Sequence, residues 1–247
     1  AVDRAMRVTP LSTVSLNGDS ADAGFRVGLA TVTVVLLFLL LIQTATMVAM
    51  GVVEEKGSRI VEILLASLRP WQLLAGKTIG LGVLGLIQIT LIAVIGLAAA
   101  RSSGTLPELP EGTYGVVAGA VMWFVLGYAF YAVLHAAIAS LVSRQEEVGS
   151  VLTPATVLMM ASYLMGFVAA RSPDGTLARV LSIVPPFSAM IMPVRSAVIA
   201  VPVWQMISAV VLMLLAVAIV LFVGGRVYGR AVLRTGARVK LREVLTA

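Results

Sequence analysis

The chain has 247 residues, of which 60% are hydrophobic and 12% charged, and its mean hydropathy is +1.03. Soluble domains are about 45–50% apolar and about 25% charged, so a water-soluble globule is excluded and lipid is the solvent that accepts the surplus apolar surface. There is no cysteine, which excludes a disulfide framework, a thiolate nucleophile and a cysteine-ligated metal. The net charge of +6 does not point to nucleic acid, because Lys and Arg gather at the ends of apolar runs, as topology signals do.

Residues 1–26 are polar and mixed, without the basic stretch and apolar core of a signal peptide; they read as the tail of an extracytoplasmic segment. Five apolar runs follow, each long enough for the roughly 20 residues that a spanning helix needs. They are Val27–Val52, Gln72–Ala100, Tyr114–Val142, Val148–Ala170 and Trp204–Tyr228. Together, 27–228 is predicted to be a polytopic, all-α membrane helix bundle, and 229–247 a basic tail. Lys56, Arg59, Arg69, Lys77, Arg144 and six basic residues from Arg226 to Arg242 fall on one side, eleven in all; the other side has seven. The richer side is predicted to be cytoplasmic, which puts the N-terminus outside and the C-terminus in the cytoplasm of a cell-membrane protein. Five spans and an external start predict a sixth span upstream of Ala1. In Arg171–Val203, the apolar half Leu181–Val203 is broken by Pro185, Pro186, Pro193 and Pro202. Prolines forbid one long helix there, so a pair of short re-entrant helices on the external side is expected; a surface-lying loop is the alternative.

Val52–Trp71 reads VVEEKGSRIVEILLASLRPW. Glu55, Arg59, Glu62, Ala66 and Arg69 recur at spacings of four and three, one polar or small face of a helix, with Ile60, Ile63, Leu64 and Leu68 on another. Ser58 suits an N-cap, and Pro70 both ends this helix and suits the first turn of the next. A short amphipathic helix lying along the membrane is predicted. Composition alone would make its charges a solvated face.

The string MGVVEEKGSRIVEILLASLRPWQLLAGK (50–77) closely resembles the cytoplasmic coupling segment of ABC-type exporter permeases of the sodium, drug and polysaccharide export kind. Glu54, Glu55, Lys56, Ser58, Arg59, Ile60, Glu62, Leu64, Leu65, Ala66, Ser67, Trp71, Gln72, Leu73, Leu74, Gly76 and Lys77 carry the match. SLVSRQEEVGSVLTP (140–154) is similar to that family's second cytoplasmic turn, and PPFSAMIMPVRSA (185–197) to its paired external half-helices. The three blocks stand in family order within Leu36–Tyr228. The resemblance implies a substrate pathway formed with a second permease copy, identical or homologous, and separate cytoplasmic ABC ATPase subunits that bind ATP and Mg; this chain itself holds no cofactor, metal or catalytic residue. It also implies that Glu54, Glu55, Lys56, Ser58, Arg59, Glu62, Ile63, Leu64, Leu68 and Arg69 couple to that ATPase.

Gly76-Lys77-Thr78 looks like the end of a phosphate-binding loop, but Trp71 stands where the motif needs its first glycine. Lys77 reads instead as an anchor with its ammonium in the headgroup layer. His135, the single histidine, lies inside the third span. An ionisable group at that depth is a functional candidate, yet no span carries an Asp or Glu to partner it, and a neutral histidine bonded between helices is the favoured reading. Gln43, Thr44, Thr46, Gln88, His135, Thr153, Thr156 and Tyr163 are candidates to line a polar route. Gly76 with Gly80, and Gly115 with Gly119, are four apart and suit close helix packing or dimerisation. An ion-gradient transporter would show intramembrane carboxylates; a membrane enzyme or scaffold would have no use for the coupling string.

Overall fold

The computed structural model describes residues 16–57, 70–102 and 112–231. Within them the chain is helical: α1 Leu16–Gly57, α2 Pro70–Ser102, α3 Thr113–Ala139, α4 Gln145–Arg171, α5 Thr176–Leu181, α6 Ser188–Val198 and α7 Val203–Ala231. Five of these (α1, α2, α3, α4 and α7) are long and apolar enough to cross a membrane. The expected spans are therefore present, with ends shifted by a few residues. The exception is α1, which extends back to Leu16 through part of the segment read as a tail. Pro70 opens α2, at the position where its missing N–H costs nothing and its fixed φ suits the helix. The amphipathic helix expected over Ser58–Arg69 and the tail beyond Ala231 lie outside the described residues.

The first spanning helix is the centre of the bundle. It packs on α2, α3, α4 and α6, burying Ala30, Val34, Leu37, Leu41, Ala45, Val48 and Val52 on one face while Val32, Leu39 and Met47 stay exposed on the other. The intervals of three and four are those of one helical face; both faces are apolar because the outer one meets lipid rather than water. Small side chains set the close approaches. A Cβ on Gly85 would stand 2.7 Å from the ring of Phe124 and 3.1 Å from Thr44 Cγ2, and one on Gly166 would strike Val34. The pairs Gly76/Gly80 and Gly115/Gly119 do not have this role among the described residues: no atom of another helix lies within 4 Å of where their Cβ would stand. Spacing alone did not show which glycine stripe faces a neighbour.

Two short helices do occupy the proline-broken region, although the first, α5, precedes the apolar half and only α6 falls inside it. Residues 185 and 186 lie between the two, and Pro193 lies within α6, where it removes the hydrogen bond to the carbonyl of residue 189. α6 is no surface loop. Every residue from Ser188 to Arg195 is buried, against α1, α3, α4 and α7.

Candidate functional site at one end of the bundle

The end of the bundle that carries residues 57 and 70 brings four helices together around two lysines. Lys56, in the last turn of α1, is only 2% exposed. Its Nζ donates to the carbonyl oxygens of Ser140 (2.6 Å) and Ala231 (2.9 Å). Ser140 is the C-cap of α3, and Ala231 is the last described residue of α7. The C-terminus of a helix leaves carbonyls without intrahelical donors and carries partial negative charge, so the ammonium completes the end of α3 and ties it to the Ala231 carbonyl of α7. Hydrogen bonds also answer the usual cost of burying a charge. The Ser140 hydroxyl donates to the Ala137 carbonyl at 2.7 Å and completes that cap.

Lys77, two turns into α2, pairs with Glu55 of α1 at 2.8 Å. The side chain of this lysine is 15% exposed. Gly51 makes the room: a Cβ there would lie 2.9 Å from the ammonium. At the next residue of the same helix, the Thr78 carbonyl accepts the hydroxyl of Tyr128 of α3 at 2.6 Å. Gly76-Lys77-Thr78 is thus continuous helix tied to α1 and α3, not a phosphate loop. Both ends of the 58–69 segment therefore stand on fixed ground, α1 held to α3 and α7, and α2 held to α1.

Of the predicted coupling residues, Glu54, Glu55 and Lys56 are described here, whereas Ser58, Arg59, Glu62, Ile63, Leu64, Leu68 and Arg69 lie outside the described residues. Lys56 turns its ammonium into the protein rather than outward. The eight route candidates are dispersed, and none lines any of the three described cavities. Gln43 and Thr153 are exposed, and Thr46, Gln88 and Thr156 half-buried. Thr44 and Thr153 return their hydroxyls to their own helices, at Leu40 and Gly149. Tyr163 stacks on Phe38 with ring centres 4.4 Å apart. His135 is fully buried, but its Nδ1 bonds the Tyr131 carbonyl one turn back in its own helix at 2.8 Å rather than a neighbouring helix.

At the opposite end a residue counted from the sequence only among the seven basic residues of the poorer side is central. Arg195 of α6 is fully buried. Its Nε donates to the Pro173 carbonyl (2.8 Å), and Nη1 to Ser182 Oγ (2.6 Å) and Gln205 Oε1 (2.9 Å). It binds the α4–α5 turn, the end of α5 and the first turn of α7 to α6. Burial lowers its pKa, and the nearby Asp174 carboxylate opposes that shift. The available signal was an arginine inside an apolar run; a charge there needs partners within the protein.

A bundle of five apolar helices with a buried non-spanning helix and charged groups gathered at its two ends defines a polytopic α-helical membrane protein. The chain belongs to the ABC-2 family of transporter proteins, whose match covers residues 3–226. It is 34% identical over 224 residues to the uncharacterized protein YhaP of Bacillus subtilis strain 168, covering 87% of this chain and 54% of that protein. It is also 23% identical over 212 residues to the uncharacterized protein MJ1024 of Methanocaldococcus jannaschii, covering 86% and 51% respectively. The chain thus spans about half the length of these relatives. No solved structure matches it.

Proposed function

We propose that this chain is the membrane-spanning part of a permease of an ATP-binding-cassette exporter, of the sodium, drug and polysaccharide export kind. In this reading ATP and Mg are bound and hydrolysed by a separate cytoplasmic subunit, and two permease copies, identical or homologous, enclose the route. The observation that carries it is the family match along residues 3–226, which takes in the whole of the 50–77 string. The braced ends of α1 and α2 support it, because a segment that receives force is useful only on a firm base. The basic asymmetry supports placing this end of the bundle, and the C-terminus, in the cytoplasm.

Coupling requires that the ATPase contact the permease differently in its two nucleotide states. In this proposal 58–69 makes that contact, with Arg59 and Glu62 pairing across the interface and Ile63, Leu64 and Leu68 packing on helix ends or in the ATPase groove. Charge reversal tests it. Glu62→Arg keeps helix propensity, since both residues are good helix formers, and truncating or reversing a desolvated partner costs roughly 2–5 kcal/mol. Pull-down of the ATPase and ATP hydrolysis by the reconstituted pair should both fall in Glu62→Arg and in Arg59→Glu, with the permease still inserted. Unchanged assembly and turnover in both variants would remove this helix from the mechanism.

A further inference from the structure

The Lys56 geometry carries a second, narrower conclusion, which rests on the coupling reading above. Lys56 lies two residues before the 58–69 segment, yet it cannot reach a partner protein: it is 2% exposed and its ammonium is bound at 2.6 and 2.9 Å to backbone carbonyls of its own chain. Those carbonyls are far apart in sequence, at 140 and 231, and belong to α3 and α7, which pack on each other. Position 57 is also close to the α3–α4 turn, since a Cβ on Gly57 would lie 3.5 Å from the Ser143 carbonyl. The last turn of α1 is thus wedged between the ends of α3 and α7, with Lys56 as the hydrogen-bonding link.

We propose that Lys56 is the joint that carries movement of segment 58–69 into α3 and α7, a positioning residue rather than an ATPase contact. Backbone carbonyls at helix ends suit this role. They are acceptors that no side-chain substitution in α3 or α7 removes, and the charge on Lys56 complements the dipole at the end of α3. Lys77 and Glu55 would make the matching link from the other end of the segment to α1, so that the two ends move as one base.

Hydrogen–deuterium exchange on the full-length permease with its ATPase in nanodiscs, with and without ATP, Mg and vanadate, separates contact from transmission. In the wild type, nucleotide should change exchange at 58–69 and also at 136–143 and 224–231. In Lys56→Met, which keeps the volume and removes the donors, the complex should still be recovered and the change at 58–69 persist, while the changes at 136–143 and 224–231 are lost. Lys56→Arg, which keeps charge and donors, should restore them. Should the Met variant not insert, Lys56→Gln, too short to reach both carbonyls, takes its place with the same expectation. Loss of the complex in a folded Lys56 variant would make Lys56 a docking contact and overturn the proposal. Full nucleotide response at 136–143 and 224–231 without the lysine would overturn it equally. No nucleotide-dependent change at 58–69 in the wild type would instead sink the coupling reading beneath it.

Discussion

Single side chains hold this bundle at the places where lipid cannot help. Arg195 donates to three oxygens on three different stretches of chain, and leaving such buried acceptors unpaired costs about 1–3 kcal/mol per group. Arg195→Met should lower the unfolding midpoint of the detergent-solubilised protein. Arg195→Lys should recover only part of the loss, because one ammonium cannot span acceptors that a guanidinium fork reaches together. Glycine supplies a cleaner contrast. Gly85→Val drives a branched side chain into Phe124 and Thr44, and overpacking of this kind costs about 1–3 kcal/mol. Gly76→Val, with nothing within 4 Å of its Cβ, should leave the protomer's unfolding unchanged in the same assay. Equal effects of the two substitutions would show that the helices do not approach as described.

The elements themselves were largely legible in the sequence. Apolar length gave the five long helices, proline gave the break before α6, and Pro70 gave the start of α2. Burial was not legible. In a soluble helix the polar face marks the outside, but in α1 Leu39 and Leu41 are equally apolar and only the second is buried; lipid and protein interior select the same side chains. Glycine spacing was ambiguous in the same way: Gly76/Gly80 and Gly115/Gly119 meet no other described helix of the protomer, which leaves dimerisation open to them, and Thr44 and Thr153 turn back because a hydroxyl in a membrane helix readily bonds its own backbone. Arg195 was read only as a topology charge. Orientation is the element-level expectation with the most direct test, and the absence of cysteine makes it simple. Ser172, exposed at the end of α4, and Gln145, exposed at its start, stand at opposite ends of one helix. On intact cells a membrane-impermeant maleimide should label Ser172→Cys, and label Gln145→Cys only after permeabilisation. The reverse pattern would invert the bundle.

Across the whole molecule, the outward surfaces of α2 and α7 are apolar along most of their length, with Ile79, Val83, Ile87, Leu91 and Ile95 exposed on one and Ile207, Leu214, Leu215, Ile219 and Phe222 on the other. The two helices are nevertheless held differently. α7 is fastened near each end by a cation from another helix, through Gln205 to Arg195 in its first turn and through the Ala231 carbonyl to Lys56 in its last. Such a strut can tilt about its fastenings but cannot act as a piston. A slide of one helical turn, about 5.4 Å, would carry both acceptors out of reach of their donors, leaving Lys56 with Ser140 alone and Arg195 with Pro173 and Ser182. Whatever motion the bundle makes, the last span must therefore travel with α1 at one end and with α6 at the other, pivoting instead of shuttling.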